Sequence, residues 1–348
     1  MLMTTMREVA ERAGVSATTV SFVLNGRQPA NGPISADTKQ RVLTAAKELG
    51  YRPNGLAKAI VQGHNQTIGF LARFIWHEFT ARILTGAIEE ARQAGYGVQV
   101  LLLKNDILDK ESIESCLEMR LAGLITVDMD PNGLEYLYSE MRPYNIPIAF
   151  LDTSFRQDWG IHITTDDAQG CKQAVTHLVD LGHKRIAYIG GEVGRGMTVM
   201  RDQAFLKAMI AHNLKVPKNY IGHGNWSTFV AEDLAMKMLR LKNPPTAIIC
   251  ANDEMAYGVQ KAARRLGVKM PQELSLIGFS DVAIANMADP PLTSVHQPKE
   301  EIGRAATQLL LESMKRAQDG EDVNAKPLDI LLPTTLKIRA STAPPPLP

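Results

Sequence analysis

Residues 5–25 read TMREVAERAGVSATTVSFVLN, and this stretch decides the fold of the first part of the chain. Thr5 and Glu8 have the spacing of a capping box, in which each side chain accepts a hydrogen bond from the backbone of the other residue. Gly14 suits the left-handed backbone conformation that ends a helix. We therefore predict a short helix between Thr5 and Gly14.

A second helix is predicted after this glycine turn. Ser16 can cap it, and Val20, Val23 and Leu24 recur at the spacing of one buried helical face. A third helix should begin after Ser35 and bury Val42, Leu43, Ala46 and Leu49. Two short helices joined by a tight turn and braced by a third are typical of a helix-turn-helix, whose second helix fits the DNA major groove.

The outer face of the second helix favours a DNA-binding helix-turn-helix over an ordinary three-helix bundle. It lacks the Lys and Glu of an idle solvated surface and consists of Ala17, Thr18, Ser21, Phe22 and Asn25. The small hydroxyl and amide side chains among them can approach bases and phosphates closely. Residues 1–64 also hold eight Lys or Arg against four Asp or Glu, a net charge of +4, whereas the whole chain carries +1. A basic head favours nucleic-acid binding, although a solvated helical face gives a similar count.

From about residue 67 the pattern changes to short apolar strands separated by helix-length stretches. The predicted strands are 67–72, 97–102, 123–127, 147–151, 185–190, 246–250 and 274–278. Such alternation predicts parallel sheets covered by helices on both sides. We expect an α/β body of two similar lobes with a boundary near 161–167, completed by crossovers near 292–340. Ligands of parallel sheets bind beyond the carboxyl ends of the strands, so two facing lobes form a cleft.

Composition excludes several classes of protein. No stretch reaches the roughly 18 apolar residues of a membrane span, and the amino terminus lacks the pattern of a signal peptide, so we expect a cytoplasmic protein. The three cysteines are far apart and predict neither disulfides nor a metal site. The glycine-rich loop at 190–196 lacks the ending of a phosphate loop and the spacing of a dinucleotide fingerprint. We expect no catalytic residues, no metal and no cofactor.

The chain resembles the LacI/GalR family of bacterial transcription regulators over essentially its whole length. In the head the similar motifs are VAERAGVS at 9–16, TVS at 19–21, LNG at 24–26 and GYRPN at 50–54. In the body they are LGHKRIA at 181–187, AND at 251–253, IGFSD at 277–281 and PPLT at 290–293. Each motif is weak alone, but their order and spacing are specific.

The resemblance implies a sequence-specific DNA-binding regulator whose second helix reads bases in the major groove. The residues it implies at the DNA are Thr5, Ser16, Ala17, Thr18, Thr19, Ser21, Phe22, Asn25, Tyr51, Asn54, Ala57, Lys58 and Ile60. Family members often carry Arg where this chain has Phe22, so an apolar contact to a thymine methyl is expected there. Residues 54–64 take the place of a hinge helix that folds on DNA, with Ile60 as an apolar wedge between base pairs. A plain flexible linker is the alternative.

The resemblance also implies a small-molecule effector between the two lobes. The implied contacts are Arg73, Trp76, Phe79, Asp152, Arg201, Trp226, Asn252, Ser280 and Asp281. Paired hydrogen-bonding groups and flat aromatic faces suit a sugar, a sugar derivative or a nucleoside-like molecule, in that order. Arg73 could equally meet a carboxylate or a phosphate. Effector binding can either weaken or strengthen DNA binding. We favour weakening, that is induction, over corepression.

Three domains are therefore expected. Residues 1–53 form the helix-turn-helix domain, 54–64 the hinge, and 65–348 the domain for effector binding and dimerisation. A pseudo-palindromic operator demands a twofold protein, and the helix around residues 82–94 should help form the homodimer. The carboxyl terminus carries no leucine heptad for tetramers. The protein should be nucleoid-associated and act as a repressor.

Overall fold

In the computed structural model the described residues are 4–24, 28, 32–51, 66–103, 108–127, 131–151 and 158–346. The chain forms two compact units, Met1–Gln66 and Thr67–Pro348. Several residues given a role above lie outside the described residues: Asn25, Asn54, Ala57, Lys58, Ile60 and Asp152. The predicted hinge 54–64 lies outside them as well.

The first unit contains three helices, α1 (Met6–Ala13), α2 (Ala17–Leu24) and α3 (Ala36–Glu48). The predicted capping box is confirmed, since Glu8 N donates to Thr5 Oγ1 at 3.3 Å and Thr5 N donates to Glu8 Oε2 at 2.6 Å. Gly14 has φ 65° and ends α1, as expected. These local hydrogen bonds set the short turn between α1 and α2.

The core of the first unit corrects one prediction. Val20 and Val42 are fully buried, but Leu43 is 50% exposed and Ala45 is buried in its place. Positions 42, 45, 46 and 49 follow the i, i+3, i+4, i+7 spacing of one helical stripe, whereas position 43 lies about 100° away around the helix. Leu43 was therefore assigned to the wrong face.

The second unit contains two six-stranded sheets, one in each lobe. Lobe 1 has the order β11-β5-β4-β3-β1-β2, with β1 Thr67–Ala72, β2 Gly97–Leu102, β3 Gly123–Val127, β4 Ile148–Leu151, β5 Ile161–Thr165 and β11 Leu328–Leu332. Lobe 2 has the order β12-β10-β9-β8-β6-β7, with β6 Ile186–Gly190, β7 Ile221–His223, β8 Ala247–Cys250, β9 Ser275–Ser280, β10 Thr293–His296 and β12 Thr335–Lys337. Every pairing is parallel except that of β12 with β10.

Helices cover both faces of these sheets. They are α4 (Glu78–Gln93), α5 (Lys110–Glu118), α6 (Pro131–Met141), α7 (Asp167–Asp180), α8 (Gly196–Ala211), α9 (Thr228–Leu239), α10 (Asp253–Leu266), α11 (Ala283–Met287) and α12 (Lys299–Gln318). In β1, Ile68 and Phe70 belong to one core cluster and Leu71 to the cluster on the opposite face. A strand buried on both faces reads as a continuous apolar run, which is why β1 was predictable. Within the described ranges, no helix has the length and apolarity that crossing a membrane requires.

Two strands of lobe 2 have no clear signal in the sequence. Strand β7 has three residues, too few for a periodic pattern. Strand β10 buries the polar side chains of Thr293 and Ser294 completely. Ser294 Oγ donates to Asp253 Oδ1 at 2.6 Å, and Thr293 Oγ1 accepts from Arg339 N at 2.9 Å, so these hydroxyls are satisfied by partners distant in sequence.

The chain crosses between the lobes from β5 to α7, from β10 to α12 and from β11 to β12. Helix α12 returns to lobe 1 and packs closely on α4. A Cβ atom on Gly303 would lie 2.0 Å from Ile83 O, and one on Gly86 would lie 2.0 Å from Glu300 O. Only glycine allows the two backbones to approach so closely. These contacts hold the carboxyl-terminal crossover helix in lobe 1.

Candidate effector pocket and nucleic-acid interface

A pocket lies between the two lobes of the second unit and encloses about 610 Å³ of empty space, part of it open to solvent. Both lobes line it, with Phe74, His77, Phe79, Thr80 and Val127 from lobe 1 and Met197, Arg201, Trp226, Asn252, Glu254, Ser280 and Val282 from lobe 2. Aromatic rings interspersed with a small number of placed polar groups are typical of sites for small organic molecules.

Arg201 is the most strongly held cation of the pocket. Its side chain is 3% exposed, its Nε donates to Asp167 Oδ2 at 2.6 Å, and its Nη1 donates to Ala251 O at 2.7 Å. Its Cζ atom lies 4.1 Å from the centroid of the Phe279 ring, where the cation meets the negative face of the ring. The guanidinium is therefore fixed before any ligand arrives.

Asp167 organises the polar floor beneath this arginine. It is the first residue of α7, directly after the crossover from lobe 1, and it also accepts from Thr165 Oγ1 at 2.7 Å and Gln297 Nε2 at 3.1 Å. Gln297 lies on the second crossover. Asp167 falls within the lobe boundary expected near 161–167, and its side chain is buried. Two of its partners, Arg201 and Gln297, come from distant parts of the chain, so no local pattern revealed its role.

The loop that follows β9 has an unusual backbone. Ser280 and Asp281 both have positive φ, 98° and 56°. The fully buried ammonium of Lys299 binds the carbonyl oxygens of Ser280, of Asp281 at 3.3 Å and of Gln297 at 3.0 Å. Burial lowers the pKa of Lys299 to about 8. Non-glycine residues keep such a backbone only when their surroundings hold them there, and here a lysine at the start of α12 does so.

Asp253 holds the same loop from the opposite side. Its Oδ2 accepts from Val282 N at 2.8 Å and its Oδ1 from Ser294 Oγ at 2.6 Å. Burial raises the pKa of Asp253 from an ordinary 3.8 to about 7, while these two hydrogen bonds favour the charged form and oppose that shift. Since Ser280 and Val282 line the pocket, Asp253 and Lys299 together position one of its walls.

The structure brings together part of the predicted effector set. Five of the nine residues line the pocket, namely Phe79, Arg201, Trp226, Asn252 and Ser280. Asn252 also caps α10, because its Oδ1 accepts from Met255 N at 2.8 Å. Asn252 and Ser280 lie at strand ends of the lobe 2 sheet, where ligand contacts of parallel sheets are expected.

Three predicted effector residues lie outside the pocket lining. The carboxylate of Asp281 is 2.7 Å from Arg339 Nη2 and 3.0 Å from His296 Nδ1. Trp76 is exposed, and its ring packs against that of Phe74 with centroids 4.8 Å apart and the planes tilted by 30°. Arg73 lies beside the pocket and forms an ion pair with Glu192 at 3.5 Å.

Sequence reasoning missed several lining residues. They are Phe74, His77, Thr80, Val127, Met197, Glu254 and Val282. His77 Nδ1 lies 3.7 Å from Glu254 Oε1, so this contact joins lobe 1 to lobe 2. The loop at 73–79 is rich in aromatic residues, and that composition was the available signal. Which ring faces the pocket depends on how the loop folds against the opposite lobe.

The predicted DNA-reading surface lies on α2 of the first unit. Ala17 and Thr18 are exposed, while Ser21 and Phe22 are half-buried. Ser16 Oγ accepts from Thr19 N at 3.1 Å and lies 2.9 Å from Thr19 Oγ1, so both hydroxyls lie at the start of the helix. The Thr5 hydroxyl belongs to the capping box, and Tyr51 packs against the core of the unit.

The described residues contain no group of three His, Cys, Asp or Glu side chains placed to hold a metal ion. All three cysteines are buried, and burial raises the pKa of Cys116 to about 11 and that of Cys171 to about 12. A thiol of this kind stays protonated and behaves as a small apolar side chain.

We predict that Arg201→Met destabilises the protein by about 3–5 kcal/mol, because Asp167 is then left buried without its cation. Arg201→Met combined with Asp167→Asn should recover a large part of that loss. The free energy of unfolding in urea measures both. Equal stabilities of the single and the double variant would contradict the role of this pair.

We predict that Asp253 makes the stability of the second unit depend on pH. Because the pKa is raised to about 7 in the folded protein, the folded state keeps a proton that the unfolded chain has released. The contribution of Asp253 to stability is therefore full below about pH 3.8 and is lost as the pH rises through about 7.

Asp253→Asn removes this titration and keeps the shape of the side chain. The difference in melting temperature, variant minus native protein, should become more positive as the pH rises from mildly acidic to mildly alkaline values. The change should centre on the Asp253 pKa of about 7. Glu312→Gln removes a carboxylate from the exposed surface and serves as the control for the loss of one negative charge. A difference in melting temperature that does not change with pH would show that Asp253 is not the titrating group.

The chain matches two protein families. Residues 5–54 match the family described as bacterial regulatory proteins, lacI family, and residues 175–342 match the periplasmic binding protein-like domain. Among curated relatives, the HTH-type transcriptional repressor PurR of Yersinia pestis (strain Pestoides F) is 31% identical over 330 residues, 93% of this chain and 95% of the relative. The PurR repressor of Photobacterium profundum is 30% identical over 316 residues, 90% and 92% of the two chains.

Solved structures agree with these relatives. The lac repressor dimer bound to operator and the anti-inducer ONPF superposes with a TM-score of 0.88 at 28% identity, covering 98% of this chain and 100% of the other. The lac repressor bound to ONPG in the repressed state gives a TM-score of 0.85 at 27% identity, with the same coverage. The predicted fold class and family resemblance are confirmed. The chain belongs to the lacI family of bacterial regulatory proteins and is a DNA-binding transcription regulator with a helix-turn-helix unit and a two-lobed α/β unit.

Proposed function

We propose that the protein is a repressor that binds a pseudo-palindromic operator as a homodimer and releases it when a sugar or sugar derivative occupies the pocket. Ligand binding is supported by one observation: the guanidinium of Arg201 is held in a fixed position in a pocket that both lobes line. Operator binding is supported by the match of residues 5–54 to the lacI family.

In this proposal residues 1–53 bind DNA and 54–64 act as the hinge. The exposed first turn of α2 enters the major groove, where Ala17 and Thr18 approach base edges and Phe22 contacts a thymine methyl. The hydroxyls of Ser16 and Thr19 lie at the amino-terminal end of the same helix, where backbone N–H groups favour phosphate. Ser21, Asn25, Tyr51 and Asn54 complete the contacts to the DNA backbone, and Ala57, Lys58 and Ile60 contact the minor groove.

The pocket suits a ligand with both polar edges and an apolar face. The guanidinium of Arg201 and the amide of Asn252 can hydrogen-bond to neighbouring hydroxyls of a sugar ring. Phe79 and Trp226 offer flat apolar surfaces for its carbon atoms. A nucleoside-like molecule would use the same features and is the second candidate.

Binding changes DNA affinity through the arrangement of the lobes. A ligand that contacts both lobes favours the arrangement in which both sets of contacts form, and by linkage it favours the DNA affinity of that arrangement. We assign the sign as induction, so that ligand binding weakens operator binding. Effector-driven tightening of DNA binding would instead make the ligand a corepressor.

The remaining parts of the proposal follow from the DNA partner. A palindromic operator requires twofold symmetry, and the lac repressor structure similar to this chain is a dimer bound to operator. The protein acts in the cytoplasm at the nucleoid. We assign it no catalytic role, since the buried carboxylates beside the pocket, Asp167 and Asp253, are held in structural hydrogen bonds.

We predict that Ala17→Glu lowers operator affinity about 10- to 100-fold, because a carboxylate would face the acceptor edges of bases and the phosphates. Operators are first selected from fragmented genomic DNA with the native protein, and affinity is then measured by fluorescence anisotropy. Ala211→Glu adds the same charge to the exposed surface of the second unit, outside the pocket lining and the helix predicted to form the dimer, and should leave affinity nearly unchanged. Equal losses in the two variants would refute the assignment of α2.

We predict that a panel of sugars, sugar derivatives and nucleosides contains a ligand that raises the melting temperature of the full chain. Trp226→Leu should remove most of that rise, and the same ligand should release the native protein from its operator. Met287→Leu, at an exposed apolar site outside the pocket lining, serves as the control. If the ligand raises the melting temperature of both variants equally, its binding site lies outside this pocket.

A further inference from the structure

We infer that the hydrogen-bonded pair of His223 and Asp202 positions Trp226, one of the aromatic walls of the pocket. The inference deepens the proposed function and rests on it, because the place of Trp226 matters to an effector only if the pocket binds one. Neither member of the pair belongs to the pocket lining. The shape of this wall therefore depends on two positioning residues that a ligand in the pocket does not touch.

The pair links the end of a strand to a helix within lobe 2. His223 is the last residue of β7, and Asp202 lies on α8 directly after Arg201. His223 Nε2 lies 2.8 Å from Asp202 Oδ2, and the two side chains are 30% and 25% exposed. The other carboxylate oxygen, Oδ1, is buried and has no hydrogen-bond partner among the described residues. The Asp202 carboxylate therefore depends on His223 as its donor.

A glycine at the end of β6 leaves room for this pair. A Cβ atom on Gly190 would lie 2.7 Å from Asp202 Oδ1 and 3.0 Å from His223 Cδ2. Gly190 O also accepts from Gly224 N at 2.8 Å, so the backbone that follows His223 is bound to β6 as well. The ends of β6 and β7 are thus joined to α8 at one point, where only glycine allows such a close approach.

The turn after this point carries Trp226 and has a strained backbone. Asn225 and Trp226 have φ 51° and 58°. Asparagine tolerates this left-handed conformation, whereas a bulky side chain rarely adopts it. The turn ends at Ser227, whose N donates to Gly224 O at 2.9 Å and whose side chain caps α9. Such a backbone persists only when its surroundings hold it, and His223 holds the start of the turn.

The ring of Trp226 lies against bare backbone. A Cβ atom on Gly191 would overlap Cζ2 and Cη2 of the ring. On the pocket side, the Cζ atom of Arg201 lies 6.0 Å from the ring centroid. The ring has no space to move towards Gly191, so a shift of the turn moves it within the pocket and changes the surface that a ligand meets.

The test measures Trp226 directly, in the full chain without ligand. The chain has three tryptophans, so Trp76→Phe with Trp159→Phe gives a background in which Trp226 is the fluorophore. In this background His223→Ala should shift the emission to longer wavelength and raise its quenching by acrylamide, because a released turn lets water reach the ring. His223→Gln supplies an N–H donor at a similar distance and should restore the emission and the quenching of the background protein.

Two more variants in the same background separate the pair from a general loss of packing. His177→Ala removes another half-buried histidine of lobe 2, whose Nε2 lies 3.0 Å from Thr342 Oγ1, and should leave Trp226 fluorescence unchanged. Asp202→Asn keeps the shape of the side chain and removes its charge. It should have a smaller effect than His223→Ala, and it tests the pair even if the alanine variant does not fold.

Trp226 fluorescence that is unchanged in Asp202→Asn, or that changes as much in His177→Ala as in His223→Ala, would overturn the inference. A failure of His223→Gln to restore the fluorescence would overturn it too. The proposed function fails by a different result, a stabilising ligand that does not respond to Trp226→Leu, because that experiment does not depend on what holds the ring in place.

Discussion

A buried carboxylate at the junction of the two lobes imposes the constraint on which the second unit depends. Asp167 opens α7 directly after the chain leaves lobe 1, and it is balanced by Arg201 at 2.6 Å, Thr165 and Gln297. A buried charge is tolerated only when cation and donors are all in place. The chain segments that supply them are thereby held together, and the same requirement fixes the guanidinium in the pocket.

The other polar groups at the pocket are also held by hydrogen bonds within the protein. Asn252 caps α10 while it lines the cavity, and Lys299 and Asp253 hold the loop that carries Ser280. Because each group satisfies a backbone atom, the walls keep their shape without a ligand, and a pre-organised site loses little conformational freedom on binding. Glu192 differs, since 39% of its side chain is exposed where it pairs with Arg73 and Arg195.

Much of the architecture was predictable because its causes are local. The capping box at Thr5 and the turn at Gly14 depend on residues within one helical turn, and apolar strands such as β1 carry their own signal. Leu43 was assigned to the wrong face because the helical stripe passes through position 45. Strand β10 escaped notice because its polar side chains are paired with residues far along the chain.

The amino-acid sequence by itself determined the helical head, the alternating strands and helices of the body, and, through its motifs, the family. It also indicated Phe79, Arg201, Trp226, Asn252 and Ser280 as pocket residues. Only the tertiary structure decided that Phe74 and Glu254 face the pocket, that Asp281 is committed to Arg339, and that Arg73 meets Glu192 from the opposite lobe. The reason is physical: helices, turns and apolar strands arise from neighbours in sequence, whereas the partner of a buried charge is chosen by how distant segments pack.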